Sequence, residues 1–176
     1  MAPETLKTLI RCVPDFPRPG ILFRDITTLI GHGEGFAASV GLLAARLGPA
    51  QAIAGIEARG FIFGAAVAAR CGLPFIPVRK PGKLPVPALA IDYALEYGTD
   101  TLEIDPGAIA AGQRVAIIDD LIATGGTALA AAKLLTQAGA TVTKALFMID
   151  LPDLGGADRL RAAAIPAEAI LEFAGH

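Results

Sequence analysis

The chain has 176 residues, of which 53% are hydrophobic and 18% charged, and its net charge at pH 7 is −2. A chain of this length is most simply one domain, residues 1–176, and can bury roughly 70% of its unfolded surface. This composition excludes a disordered protein, and the slightly negative charge argues against general binding to nucleic acid or to an anionic membrane.

The few residues that bind metals or form disulfides lie far apart. Cys12 and Cys71 are too few for a disulfide framework or a Cys-based zinc site, and His32 and His176 are isolated. We therefore expect no metal site built from protein side chains alone. The N-terminus lacks the features of a signal peptide, and no segment approaches the ~20 apolar residues of a membrane span. These observations predict a cytoplasmic protein without a membrane partner.

Helical and extended patterns alternate along the chain. In chain order, the spacing of apolar residues predicts a helix over 4–12, a helix over 36–47, a strand over 52–56, a helix over 60–70, a strand over 74–79, a strand over 114–119, a helix over about 126–138 and a strand over 142–149. This alternation predicts an α/β fold in which helices cover both faces of a parallel sheet.

The interval from Lys80 to Gly98 breaks the alternation. It contains three prolines, two glycines and no clean hydrophobic period. A long irregular segment inside a compact domain is usually functional or mobile. We interpret residues 80–98 as a lid over an active site, with a plain surface connection as the alternative.

The segment 115–128 carries the most chemical information. Its apolar start predicts a buried strand that ends at two adjacent carboxylates, Asp119 and Asp120. A loop of small and hydroxyl residues then opens a helix, where unpaired amides and the helix dipole favour an anion. The loop residues are Ala123, Thr124, Gly125, Gly126 and Thr127. Carboxylates beside such a loop predict a ligand with hydroxyls and a phosphate, such as a ribose 5-phosphate.

This segment resembles the ribose-phosphate motif of the type I phosphoribosyltransferases. The resemblance implies that Asp119 and Asp120 hold the ribose hydroxyls, and that Ala123 to Thr127 bind the 5-phosphate. It also implies that family's fold: a central, mostly parallel sheet flanked by helices, a small hood over the base and a flexible lid. The hood would comprise residues at about 14–30 together with a C-terminal part.

A second strand-to-helix junction lies at Ala58, Arg59 and Gly60. We expect it to lie near the loop after Asp120, since ligands of parallel sheets bind at the carboxyl ends of the strands. An arginine beside free helix amides suits a diphosphate. The resemblance matches this junction to the family's pyrophosphate-binding loop and implies a cis peptide bond between Glu57 and Ala58.

Three cations, Arg79, Lys80 and Lys83, lie within five residues at the root of the lid. They would offset the negative charge of pyrophosphate as it leaves. A solvated basic run is the alternative. Because the family is dimeric, the resemblance implies a homodimer in which Arg79 reaches a neighbouring subunit's site.

Several further segments resemble the branch of the family that acts on adenine: residues 15–29, 57–64, 77–85, 95–100 and 150–160. The resemblance covers roughly residues 14–176. It implies transfer of the phosphoribosyl group from 5-phosphoribosyl 1-pyrophosphate (PRPP) to adenine, giving AMP and pyrophosphate. Leu22, Phe23 and Arg24 would contact adenine, with Leu151 on the opposite wall.

The resemblance also implies catalytic roles and a cofactor. Glu96 would take the proton from the purine nitrogen once lid closure removes water from its carboxylate, although a surface glutamate is the alternative. Asp119, Asp120 and Arg59 would stabilise the reacting charges. Mg²⁺ would be carried by the pyrophosphate and the ribose hydroxyls, with few protein ligands. The apolar lid segment 86–90 departs from the common bacterial pattern.

Two other functions stay open from the residues themselves. One is a binding or regulatory module on the same fold that senses the sugar diphosphate without catalysis. The other is the same enzyme class with guanine or hypoxanthine as the base. The first predicts no turnover with any purine, and the second predicts turnover with 6-oxo purines.

Overall fold

A five-stranded parallel sheet forms the centre of the protein, whose computed structural model describes residues 1–94 and 98–175. The strands of the described residues are β1 (Arg11–Pro14), β2 (Leu22–Asp25), β3 (Ala52–Ile56), β4 (Phe75–Val78), β5 (Leu89–Ala94), β6 (Thr99–Ile104), β7 (Arg114–Ile122), β8 (Thr141–Asp150) and β9 (Ala167–Glu172). The central sheet has the order β4-β3-β7-β8-β9. Its first four strands were predicted in type, whereas β9 was not.

The helices surround this sheet. They are α1 (Pro3–Thr8), α2 (Thr27–Ile30), α3 (Gly33–Ala44), α4 (Arg59–Cys71), α5 (Gly126–Gln137) and α6 (Gly156–Ala162). The helices predicted over 36–47, 60–70 and 126–138 are confirmed to within a few residues. The helix predicted over 4–12 is shorter, because residues from Arg11 onward pair with β2 in an antiparallel hairpin. Among the described residues, no helix has both the length and the apolar character needed to cross a bilayer.

Alternate residues of β7 face two separate apolar clusters, which confirms that helices cover both faces of the sheet. Ile117 packs in the cluster that contains Leu134 of α5, and Ile118 packs in the cluster that contains Phe63 of α4. All four side chains are completely buried. Full burial of a large apolar side chain contributes roughly 1.5–3 kcal/mol, so the two clusters hold β7 rigidly in the middle of the sheet.

The segment 80–98 is less irregular than predicted. Its second half forms β5, which pairs with β6 in an antiparallel hairpin. Leu89, Ile91 and Tyr93 are half-buried against the α5 side of the core and alternate with exposed residues. This alternation is the period of a strand, and it was missed because it is short and follows three prolines. Leu95, Glu96 and Tyr97 lie outside the described residues.

Candidate active site

A cleft opens where β7 runs past its neighbour β3. β3 pairs with β7 only as far as Ile118, whereas β8 pairs with it as far as Ile122. The predicted end of the strand at Asp119 was therefore wrong, because β8 keeps the backbone extended along one edge. The other edge is left open after Ile118, and the carboxylates of Asp119 and Asp120 line the space that results.

The cleft contains a cavity of about 420 Å³ that most of the predicted site residues share. The predicted residues that line it are Ala58, Arg59, Lys80, Asp119, Asp120, Ala123, Thr124, Gly125, Gly126 and Thr127. Segments up to 69 positions apart in the sequence thus meet at one end of the sheet. Gly60, Arg79 and Lys83 are not among the described residues that line this cavity.

The two carboxylates have different environments, since neighbouring side chains of a strand point in opposite directions. Asp120 is paired with Arg59, whose Nε lies 2.5 Å from Oδ2 of the carboxylate. Asp119 instead accepts a hydrogen bond from the backbone N–H of Asp120, with 2.8 Å between Oδ1 and N. Burial, and next the negative charge of Asp120, raise the pKa of Asp119 well above its usual value. The carboxylate of Asp120 is thus paired with a cation, whereas burial and the neighbouring negative charge disfavour the ionised form of Asp119.

Gly60 contributes through its lack of a side chain. A Cβ atom at Gly60 would lie 2.7 Å from Oδ1 of Asp119 and 3.0 Å from the carbonyl oxygen of Ile118. Only glycine therefore lets the start of α4 approach β7 so closely at Ile118 and Asp119. The peptide bond between Glu57 and Ala58 is cis, which confirms the expectation from the resemblance.

The loop from Ala123 to Thr127 is fixed by backbone contact with the start of α6. Gly125, whose φ is +78°, has a left-handed conformation, and a Cβ there would lie 2.8 Å from the carbonyl oxygen of Gly156. A Cβ on Gly156 would lie only 2.2 Å from the carbonyl oxygen of Ala123. Sequence analysis did not assign Gly156 to the site. The signal that could have indicated its role was the glycine pair at Gly155 and Gly156, which lies in the segment 150–160 that resembles the adenine branch of the family.

Glu57 organises the root of the lid, a role that sequence analysis also missed. Its carboxylate oxygens lie 3.2 Å and 3.3 Å from Nε and Nη2 of Arg79, and one of them accepts a 2.8 Å hydrogen bond from the backbone N–H of Lys80. Arg79 and then the Lys80 amide lower the pKa of Glu57. Arg79 also donates to the carbonyl oxygen of Lys83 at 3.3 Å. Arg79 is thus held beside the cavity, while Lys80 is directed to its wall.

The ammonium group of Lys80 bonds to two residues of the β5–β6 hairpin. It donates to Asp100 and to the hydroxyl of Tyr93, the latter at 3.2 Å. Burial lowers the pKa of Lys80, but the hydrogen bonds to Asp100 and Tyr93 outweigh burial and raise it. Lys80 therefore stays protonated at the cavity.

A second, apolar pocket of about 250 Å³ adjoins the first. All four residues predicted to contact the base line it: Leu22, Phe23, Arg24 and Leu151. The two cavities share three lining residues, Arg59, Leu121 and Ala123. A flat apolar base in one pocket would therefore lie next to a sugar phosphate in the other.

The side chain of Arg24 links the hood to the C-terminal segment. It donates to the carbonyl oxygens of Leu22 and Ala174, the latter at 2.6 Å, and its guanidinium carbon lies 5.6 Å from the centre of the Phe173 ring. Only 5% of this residue is exposed. These contacts hold the Arg24 side chain between β2 and the C-terminal residues.

A polar cavity lined by two carboxylates and a glycine-containing loop, beside an apolar pocket at the carboxyl end of a parallel sheet, is the arrangement that an enzyme of the phosphoribosyltransferase class needs. A family model described as "Phosphoribosyl transferase domain" matches residues 38–159. A protein of Novosphingobium aromaticivorans named adenine phosphoribosyltransferase is 70% identical to this chain over 100% of both chains.

Solved structures agree with the sequence comparison. The adenine phosphoribosyltransferase of Thermoanaerobacter pseudethanolicus has a TM-score of 0.92 and 45% identity, covering 98% of this chain and 100% of its own. The Saccharomyces cerevisiae enzyme, complexed with an imino-altritol bisphosphate and adenine, has a TM-score of 0.90 and 36% identity, covering 96% and 98%. The chain belongs to the adenine phosphoribosyltransferase family. The fold expected from the resemblance is confirmed. The prediction that the protein is an enzyme, and not a binding module, is also confirmed.

Proposed function

We propose that this chain transfers the 5-phosphoribosyl group from PRPP to adenine, forming AMP and pyrophosphate in purine salvage. The observation that carries this proposal is the contact between the two cavities along Arg59, Leu121 and Ala123. It would bring the reacting nitrogen of a base beside the anomeric carbon of a ribose. Reactants held in this arrangement lose much of the entropic barrier to their reaction.

The polar cavity suits the ribose 5-phosphate part of PRPP. The first amides of α5, including that of Thr127, and the hydroxyl of Thr124 can bind the phosphate, since these amides lack partners within the helix. Asp119 and Asp120 can accept hydrogen bonds from the ribose hydroxyls. As the bond from the anomeric carbon to pyrophosphate breaks, the same carboxylates stabilise the positive charge that develops on the sugar.

The leaving pyrophosphate takes the bonding electrons and needs cations around it. Ala58, Arg59 and Gly60 supply helix amides and a guanidinium, and Lys80 supplies an ammonium group at the cavity wall. Lys83 is exposed and does not line the cavity, and we propose that it reaches the pyrophosphate from the surface. Arg79 is held by Glu57, a position from which we propose that it serves a neighbouring subunit's site.

The apolar pocket suits the flat purine. Leu22, Phe23 and Leu151 can pack on its faces, while the backbone of Arg24 reads its edge. A carbonyl oxygen that accepts from the exocyclic amine of adenine would face a second acceptor in a 6-oxo purine. The pocket would reject such a base, because polar groups would be left unpaired or repelled.

We propose Glu96 as the base that takes the purine proton; it lies outside the described residues, and its motif alone supports the role. Glu96→Gln should lower kcat without changing the melting temperature. An unchanged kcat would show that Glu96 is a surface residue of the lid.

Mg²⁺ is the proposed cofactor. Within residues 1–94 and 98–175 no three His, Cys, Asp or Glu side chains are grouped so that they could hold a metal by themselves. The carboxylates of Asp119 and Asp120 are nevertheless hard-oxygen donors in the ribose cavity, and they fit an ion that arrives with the sugar diphosphate. When bound there, Mg²⁺ would neutralise charge on the diphosphate.

We propose further that the protein is cytoplasmic and works as a homodimer. Cys12 and Cys71 are both exposed free thiols, which suits a reducing compartment. The dimer is an expectation from the family resemblance. Sedimentation at several protein concentrations would test it.

One assay tests the reaction directly. Adenine, guanine and hypoxanthine are each supplied with PRPP and Mg²⁺, and nucleotide formation is measured. AMP formation with adenine alone is the expected result, and a preference for a 6-oxo purine would overturn the proposal. The variant with both Asp119→Asn and Asp120→Asn should keep the fold and lose turnover, whereas near-normal turnover would refute the role of the two carboxylates.

A further inference from the structure

The hydroxyl of Tyr93 on β5 connects the two anion-binding parts of the site. Nζ of Lys80, on the pyrophosphate side, donates to it at 3.2 Å. Oγ1 of Thr127, in the phosphate loop, donates to it at 3.4 Å. The same hydroxyl donates to Oδ2 of Asp100 at 3.1 Å. A single side chain of the lid hairpin thus lies between the residues proposed to bind the two ends of PRPP.

These contacts use the full hydrogen-bonding capacity of the phenol. A tyrosine hydroxyl has one donor hydrogen and two acceptor lone pairs. Asp100 takes the hydrogen, so both lone pairs are directed to Lys80 and Thr127. Asp100 is itself held in place, because its Oδ1 accepts the backbone N–H of Thr101 at 2.8 Å. The orientation of the phenol is therefore determined by its neighbours.

Lys80 has one N–H to spare in this arrangement. An ammonium group carries three donors, and the hydrogen bonds from Nζ to described residues go to Tyr93 and Asp100. The third donor is available to a ligand in the cavity that Lys80 lines. Holding a long, flexible side chain in its bound position before the ligand arrives reduces the ordering cost of binding.

We propose that Tyr93 is a positioning residue for PRPP, which it serves by holding the Lys80 ammonium group, with Asp100 orienting the phenol. This inference rests on the proposed function, since it takes Lys80 to be a ligand of the pyrophosphate. Tyr93 acts through Lys80 and does not itself touch the reacting atoms.

Tyr93→Phe is the test variant, because phenylalanine keeps the half-buried ring and removes only the hydroxyl. A hydrogen bond from a charged ammonium group is worth a factor of about 10 or more, so the KM for PRPP should rise about 10-fold or more. The KM for adenine and the melting temperature should stay unchanged. An unchanged KM for PRPP would overturn the inference, and so would an equal rise in both KM values.

Asp92→Ala provides a matched control on the same strand. Oδ1 of Asp92 accepts a hydrogen bond across the hairpin from Oγ1 of Thr101 at 2.6 Å, and Asp92 is not among the described residues that line the cavity. If the hairpin mattered only as a folded unit, both variants would raise the KM for PRPP. We expect Asp92→Ala to keep the wild-type KM for PRPP.

A double-mutant cycle with Lys80→Met distinguishes positioning from a general structural role. In the Lys80→Met background, Tyr93→Phe should change the KM for PRPP by less than about 2-fold, because the group that it positions is gone. A full effect in that background would overturn the inference. Failure of the proposed function looks different, since the wild type would then form no AMP from adenine and PRPP.

Discussion

Gly156→Ala would displace the phosphate loop without changing any residue that touches a ligand. The added Cβ would lie 2.2 Å from the carbonyl oxygen of Ala123 and 2.8 Å from the backbone N of Gly125. Ordinary contact begins near 3.4 Å, so either the loop or α6 must move by about 1 Å. These two atoms belong to backbone and cannot turn away as the end of a side chain could, whereas the third near atom, Cγ1 of Ile122 at 2.8 Å, belongs to a side chain.

The effect on activity should exceed the effect on stability. Overpacking costs about 1–3 kcal/mol, and alanine returns up to about 1 kcal/mol of that as a better helix former than glycine. The melting temperature should fall by about 0–12 °C, at roughly 2–4 °C per kcal/mol for a chain of this size. A 1 Å displacement of substrate-positioning groups can cost about 100-fold in rate, so kcat/KM for PRPP should fall about 100-fold.

Gly155→Ala is the matched control. Gly155 has a φ of +71°, so alanine is strained there by about 1–2 kcal/mol, but nothing lies within 4 Å of its added Cβ. It should therefore lose similar stability and keep near-normal kinetics. Measuring kcat/KM and the melting temperature of both variants separates the two effects. A Gly156→Ala enzyme with wild-type kcat/KM would refute the claim that this contact places the loop.

Three further predictions address the other parts of the site. Asp119→Asn should lower kcat by about 100-fold or more; it should also raise the melting temperature at neutral pH. The pKa of Asp119 is raised in the folded protein, so the wild-type protein becomes less stable as pH rises through that pKa. The increase in melting temperature that asparagine gives should therefore be larger at pH 8 than at pH 4, as measured from melting curves. Phe23→Ala should raise the KM for adenine about 10-fold or more in steady-state assays, because the ring lines the base pocket. The KM for PRPP should change less, since the ring reaches the polar cavity only through the Arg59 guanidinium, 5.7 Å from its centre; equal changes would contradict this. The Thr27 hydroxyl and then Arg11 lower the pKa of Asp25 to about 2. The ionised Asp25 therefore contributes fully to the stability of the protein above about pH 4, and this contribution is lost as pH falls toward 2. Asp25→Asn should remove that part of the acid dependence in melting curves, and an unchanged acid limb would contradict it.

The chemistry of the phosphate site could be predicted from the sequence because it lies in one continuous segment. Asp119, Asp120 and the loop to Thr127 follow one another from strand to helix, so local rules for strand ends and helix starts place them together. The second junction at Arg59 was found by the same rules. The strand β7 was predicted to end too early, since its length depends on how far β8 extends beside it.

The residues that support the candidate site from other parts of the chain could not be found by these local rules. Gly156 supports the phosphate loop from a helix that begins 31 positions after Gly125. Glu57 anchors the root of the lid across 22 positions, and Tyr93 reaches Thr127 across 34. Each of these contacts exists only because separate elements pack side by side. The sequence by itself thus determined the local backbone geometry and the charges of the candidate ligand site. The tertiary structure alone decided which distant residues support those groups, because that depends on the packing of the whole chain.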